Sequence, residues 1–222
     1  MTEPLWVRVG SSSQGRPIEA TTIGTTGPRV LLVGGIHGDE PEGGKIINAI
    51  AAYLRAWQPH ATVRIVRDTN PDGTAASSRQ NASGVDLNRN WPAANFRPGG
   101  ARGAAPLSEP ETRALYTEIE RFDPDLVVVA HASRRGPFVN YDGPAAGLAA
   151  AFAGAAATTD PRWHVVHDMG YPTPGSLGSY VGVDLGIPIL TLEFSRGHDP
   201  DAAWAAMREG TRAVIEQISL AQ

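Results

Sequence analysis

The sequence predicts an α/β fold: one domain, residues 1–222, built on a mixed, mostly parallel twisted sheet with helices on both faces. Three observations predict it. Short apolar runs alternate with longer helical patterns along the 222 residues, as when crossover helices join the strands of a sheet. That length suits one core, since a single core commonly grows to about 250 residues before a chain divides. No internal repeat or low-complexity linker marks a second unit.

Leu5 to Gly10 and Ile18 to Gly24 read as strands of a hairpin, and Arg29 to Val33 as a buried strand ending in Gly34 and Gly35. Asp39 and Glu42 have capping-box spacing and Pro41 sits where its missing N–H is harmless, so a helix is expected from Pro41 to Trp57. Val63 to Arg67 is the next strand. Asp68 to Leu107 is rich in Gly, Pro, Asn and Ser, which argues against regular structure, and a loop of that length in a compact fold is usually functional. Ser108 and Glu111 suggest a second capping box and a helix to Phe122. The apolar run Leu126 to Ala130 is a strand ending at His131. An alanine-rich helix from Ala145 to Ala157, a strand near Trp163 to Val166, a short helix after Pro174, a strand from Ile187 to Phe194 and a closing helix from Pro200 complete the chain.

Composition narrows the function. Hydrophobic residues at 41% and charged residues at 19% belong to a globular protein. A net charge of -4, with Lys45 the only lysine, gives no electrostatic footprint for nucleic acid. Cysteine is absent, so disulfides and thiolate metal sites are excluded and any metal must take nitrogen and oxygen ligands. The start Met-Thr-Glu-Pro-Leu-Trp lacks a basic segment followed by an apolar one, and the alanine-rich stretch falls short of the ~20 residues that cross a bilayer. A cytoplasmic protein without a membrane partner is expected.

In open parallel sheets the binding crevice lies beyond the carboxyl ends of the strands. His37, His131 and Glu193 each follow an apolar run, and a polar group there is costly unless it is paired or used. Glu40, three residues after His37, lets an imidazole and a carboxylate reach one ion from a single turn. Two ligands close in sequence plus a distant histidine, with a fourth position left for water, is the pattern of a catalytic zinc. His131 is the candidate for the distant ligand, because His60, His164, His167 and His198 follow no strong central strand.

Asn70-Pro71-Asp72-Gly73, Arg79 and Gly84-Val85-Asp86-Leu87-Asn88-Arg89-Asn90-Trp91-Pro92 resemble the zinc carboxypeptidase family, the funnelins. The resemblance runs from Gly15-Arg16-Pro17-Ile18 through Gly35-Ile36-His37-Gly38-Asp39-Glu40 to Thr191-Leu192-Glu193-Phe194, nearly the whole chain in the expected order. At Gly170-Tyr171-Pro172-Thr173-Pro174-Gly175-Ser176 and Ser108-Glu109-Pro110-Glu111-Thr112 it is similar to the small bacterial murein peptide amidases of that family. These remove diaminopimelate from a cell-wall tripeptide during recycling in the cytoplasm.

The resemblance implies a carboxypeptidase fold and one zinc ion per chain, bound by His37, Glu40 and His131. It implies that Glu193 is the general base, against the alternative of a buried Glu paired to an arginine, and that Arg79 stabilises the oxyanion, against a solvated loop arginine. Asn88 and Arg89 match the pair that grips a terminal carboxylate, a task suited to a planar donor fork. Tyr171 aligns with a mobile tyrosine that closes over substrate, and Asp86 with an acceptor that fixes a ligand imidazole's tautomer. Asn90 and Trp91 are expected to hold the loop in shape. The implied partner is a small peptide with a free C-terminal carboxylate.

Two departures from the family pattern are the basic stretch Ala132-Ser133-Arg134-Arg135 and Tyr180 in place of a common tryptophan. Arg134 and Arg135 suit an acidic substrate or a solvated loop. The alternatives kept open are a general peptide carboxypeptidase, an N-acyl amino acid deacylase of the aspartoacylase or succinylglutamate desuccinylase type, and a binding module that has lost activity. Retained Glu193 and Arg79 argue against the last.

Overall fold

A computed structural model describes residues 5–220. Met1 to Pro4, most of the segment read for a leader, lie outside the described residues.

Eight strands form one sheet: β1 (Val7–Ser11), β2 (Pro17–Ile23), β3 (Arg29–Val33), β4 (Thr62–Val66), β5 (Leu126–Ser133), β6 (Phe138–Asp142), β7 (Val165–Val166) and β8 (Ile189–Ser195). Their spatial order is β1-β2-β4-β3-β5-β8-β6-β7. The middle four, β4, β3, β5 and β8, are mutually parallel, while β1, β2 and β6 enter antiparallel to their inner neighbours. Strands covered on both faces need apolar side chains in both directions, and Val30 to Val33 and Leu126 to Ala130 are buried throughout.

Helices α1 (Pro41–Trp57), α4 (Ala146–Ala157) and α5 (Pro200–Leu220) cover one face, where Ile47, Ile50, Leu54, Phe152 and Met207 pack on Leu32 and Val128. On the other face α3 (Pro110–Phe122) brings Leu115 and Ile119 against Leu31, Val33 and Val127, and Trp91 stacks on Tyr180 with ring centroids 5.9 Å apart. Tyr180 lies in a π-helical turn, Ser179–Asp184, the short helix expected after Pro174.

The structure corrects several expectations. Neither capping box forms: helices α1 and α3 start at Glu40 and Glu109 without a side-chain cap. Asp39 turns instead to Arg196, Glu42 accepts from the Gly197 N–H, and Glu111 accepts from Ser13. Tertiary partners outcompete the local bond. The stretch from Asp68 to Leu107 is not wholly irregular: Asn70 caps a short helix, α2 (Pro71–Ala76), by accepting from Gly73 N at 2.9 Å, and Leu87–Arg89 forms a single 3₁₀ turn. His131, expected where its strand ends, lies inside β5, which runs on to Ser133, and Glu193 lies inside β8 as the expected strand from Ile187 to Phe194 had it. Strand β6 was not anticipated.

Candidate active site

Three loops and two strand ends converge at the carboxyl edge of the parallel strands. The loop after β3 and the loop after β4 interlock: Thr69 N and Asn70 N donate to the carbonyls of Gly34 and Gly35, and Asn70 Nδ2 reaches Ile36 O. A Cβ at Gly38 would overlap the Gly73 backbone, so glycine there is what lets the two loops touch. This fit holds His37 and Glu40 in place.

His37 Nδ1 lies 2.9 Å from Glu40 Oε1, and His131 Nδ1 lies 2.8 Å from Glu40 Oε2. All three side chains are buried, and one ligating atom from each lies within 4.8 Å of the others. Two imidazole nitrogens turned on one carboxylate, with no thiolate, form a donor set that suits zinc. His37 Nε2 faces Asp86 Oδ1 at 3.0 Å, the carboxylate-to-imidazole contact that orients a metal-binding histidine. Burial works against a charged His37, yet hydrogen bonds to Asp86 and Glu40 outweigh it and raise its pKa. Burial works against charge on Glu40 and Asp86 as well, but His131 and then His37 hold the Glu40 carboxyl, and His37 the Asp86 carboxyl, far below the usual range.

Register places the remaining acid. Strands β5 and β8 pair with His131 directly opposite Glu193. Glu193 is half-buried, and burial raises its pKa, opposed by the nearby His131. A carboxylate held this way accepts a proton more readily than one in water.

Arg79 reaches the same centre, its Nε donating to Asp86 Oδ2 at 3.0 Å and its Nη1 to Glu40 Oε1 at 3.3 Å. Asn88 Oδ1 accepts from Leu177 N, the Asn88 backbone N–H donates to Asp86 Oδ1, and the residue lines the cavity. Arg89 beside it is partly desolvated. Tyr171 is half exposed on the rim. A cavity of about 460 Å³ unites these side chains with His37, Glu40, His131 and Glu193. Asn90 and Trp91 stand outside it: Asn90 Nδ2 donates to Arg102 O, Ala105 O and Ser108 Oγ, which ties the loop together.

The family model described as zinc carboxypeptidase matches residues 5–199. The chain belongs to the zinc carboxypeptidase family. Murein peptide amidase A of Escherichia coli (strain K12) is 34% identical over 186 residues, covering 74% of this chain and 70% of that protein. The crystal structure of murein-tripeptide amidase from Escherichia coli O157 superposes with a TM-score of 0.75 at 27% identity, covering 99% of this chain and 93% of that one. Bovine thrombin-activatable fibrinolysis inhibitor, solved with tick carboxypeptidase inhibitor, shares the fold at a TM-score of 0.84 and 16% identity, covering 99% of this chain and 92% of that one. This zinc carboxypeptidase is therefore a hydrolase of a zinc-dependent family, and among its described residues no helix is long and apolar enough to cross a membrane.

Sequence reasoning missed the floor of the cavity. Asn140 and Asp142 on β6 share a sheet face with Thr191 and Glu193 of β8, because Asn140 pairs with Thr191 and Asp142 with Ile189. Asp142 accepts no hydrogen bond among the described residues, and burial raises its pKa, offset in part by His167. Side chains at Gly178 or Gly182 would strike it, so the glycines keep its space open. The alternation Phe-Val-Asn-Tyr-Asp before Gly143-Pro144 was the available signal. Arg134 also lines the cavity, whereas Arg135 does not.

Proposed function

We propose that this enzyme removes the C-terminal residue of a short murein peptide, cleaving the γ-D-glutamyl-diaminopimelate bond. The observation that carries the reading is Asp142: an unpartnered carboxylate at the end of the pocket beyond Glu193 suits a leaving residue whose distal end carries an ammonium. Similarity to murein peptide amidase A supports it.

His37, Glu40 and His131 would hold one zinc ion per chain, with Asp86 fixing the His37 tautomer. When bound, zinc lowers the pKa of water to ~7 and polarises a carbonyl. Asn88 and Arg89 take the leaving residue's α-carboxylate, and Tyr171 closes over it. This anchoring aligns the scissile amide with Glu193, which accepts the proton of the attacking water and delivers it to the leaving amine. Arg79, freed from Glu40 and Asp86, supplies its guanidinium to the developing oxyanion. The domain acts as a single unit in the cytoplasm under this reading.

Zinc-loaded protein incubated with L-alanyl-γ-D-glutamyl-diaminopimelate should release free diaminopimelate. Turnover of ordinary C-terminal peptides without that release rejects the murein substrate and keeps the carboxypeptidase. Turnover of N-acetylaspartate or succinylglutamate alone points to the deacylase instead.

A further inference from the structure

We propose that Arg196 and Arg134 form a subsite for a carboxylate on the residue that supplies the acyl group, on the far side of the scissile bond from Asp142. The inference rests on the carboxypeptidase reading of the site and extends it to the other half of the substrate.

The parallel pairing of β5 and β8 runs from His131 opposite Glu193 to Ser133 opposite Ser195, and Arg196 N donates to Ser133 O at 3.0 Å. Arg134 and Arg196 therefore leave the two strands at the same level, each one residue past that last pair. Both line the cavity that holds Glu193. Along β8 the pocket floor lies at Thr191 and, through Asp142, level with Ile189, two and four residues before Glu193, whereas Arg196 lies three residues after it. With a rise of about 3.3 Å per residue, the floor and Arg196 sit on opposite sides of the general base. A substrate with its leaving side chain on the floor presents its acyl half to the arginines.

Arg196 Nη2 donates to Asp39 Oδ2 at 2.9 Å and stands 3.8 Å from Glu40 Oε1. Its Nε and Nη1 have no acceptor among the described residues, and Arg134 is exposed beside it. Asp39 thus aims one face of the guanidinium and leaves the other as a donor fork for a carboxylate. An α-carboxylate next to a γ-linked amide is the group this arrangement fits.

The test gives the zinc-loaded enzyme two substrates that differ at one group, L-alanyl-γ-D-glutamyl-diaminopimelate and its analogue with the glutamyl α-carboxylate replaced by carboxamide. The native enzyme should favour the carboxylate roughly 10- to 150-fold in kcat/KM, the worth of one charge-assisted contact. Arg196→Gln and Arg134→Gln should each shrink that ratio, and the double variant should bring it close to one. Arg196→Lys should restore part of it, which a purely structural Arg196–Asp39 pair does not predict. A native ratio near one, or a ratio that survives the double variant, overturns the subsite.

A second pair, N-acetyl-glutamyl-lysine and N-acetyl-glutaminyl-lysine, separates the two readings. An arginine-dependent preference here without cleavage of the tripeptide rejects the murein substrate and keeps the subsite. Should neither pair turn over, calorimetry on Glu193→Gln with the tripeptide and its carboxamide decides. Tighter binding of the carboxylate supports the subsite, and equal or absent binding overturns it.

Discussion

Asp142→Asn should strip the enzyme of its preference for a leaving residue with a distal ammonium while leaving the fold no weaker. Nothing among the described residues donates to the Asp142 carboxylate, which leaves it free to take the substrate's cation, and the neutral amide of the variant brings no charge to do so. A hydrogen bond to a charged group contributes about 1.5–3 kcal/mol, which at about 1.4 kcal/mol per factor of ten is roughly 10- to 150-fold. The assay is kcat/KM for the tripeptide ending in diaminopimelate against one ending in 2-aminopimelate, which lacks only that ammonium. Native protein should prefer the first by that factor and the variant should not. Stability moves the other way. Burial raises the Asp142 pKa, so its favourable contribution is complete below the unfolded value of about 3.9 and is lost as pH rises through the folded one. Asp142→Asn should therefore melt above the native protein at pH 7, with the gap closing below about pH 3.9. An unchanged substrate ratio, or a variant that melts lower at neutral pH, refutes the reasoning.

Glu193→Gln should lower kcat about 10²- to 10⁴-fold, the usual contribution of a general base, while metal analysis still finds zinc; unchanged turnover would favour a binding module. Asp86→Ala should weaken zinc affinity about 10- to 100-fold in a chelator competition, because His37 Nε2 loses its 3.0 Å partner. Removing zinc with a chelator should lower the melting temperature, by an amount that corresponds to about 4 kcal/mol when the metal had been present at a thousand times its Kd. Asp72 is buried, but the Arg16 guanidinium, the Gln14 N–H and the Ser12 hydroxyl outweigh that and lower its pKa. Its contribution is present above about pH 3.9 and lost as pH falls through the folded value. Asp72→Asn should destabilise at pH 7 by about 1–3 kcal/mol in denaturant titrations and converge with the native protein in acid.

The sequence made the centre of this molecule readable because its central strands are apolar on both faces, so their limits and the polar residues at their carboxyl ends stand out. His37, Glu40, His131 and Glu193 converge as that reasoning and the family resemblance expected. The capping boxes failed because Asp39, Glu42 and Glu111 found partners more than ninety residues away, which no local spacing encodes. Strand β6 escaped notice for a related reason. One of its faces is polar because it floors a cavity, so Asn140 and Asp142 dilute the apolar run that signals a strand. Arg196, in a polar loop before α5, gained meaning only from the register that sets it beside Arg134.

That register also separates what in this enzyme is free to change. The distance between His131 and Glu193 is fixed by a backbone ladder between adjacent strands, where neighbours stay about 4.8 Å apart whatever the side chains around them. Tyr171, Arg89 and Arg196 lie outside the strands. Under the proposed function, mutation can therefore retune which peptide is chosen, one surface segment at a time, without stretching the span across which bond cleavage takes place.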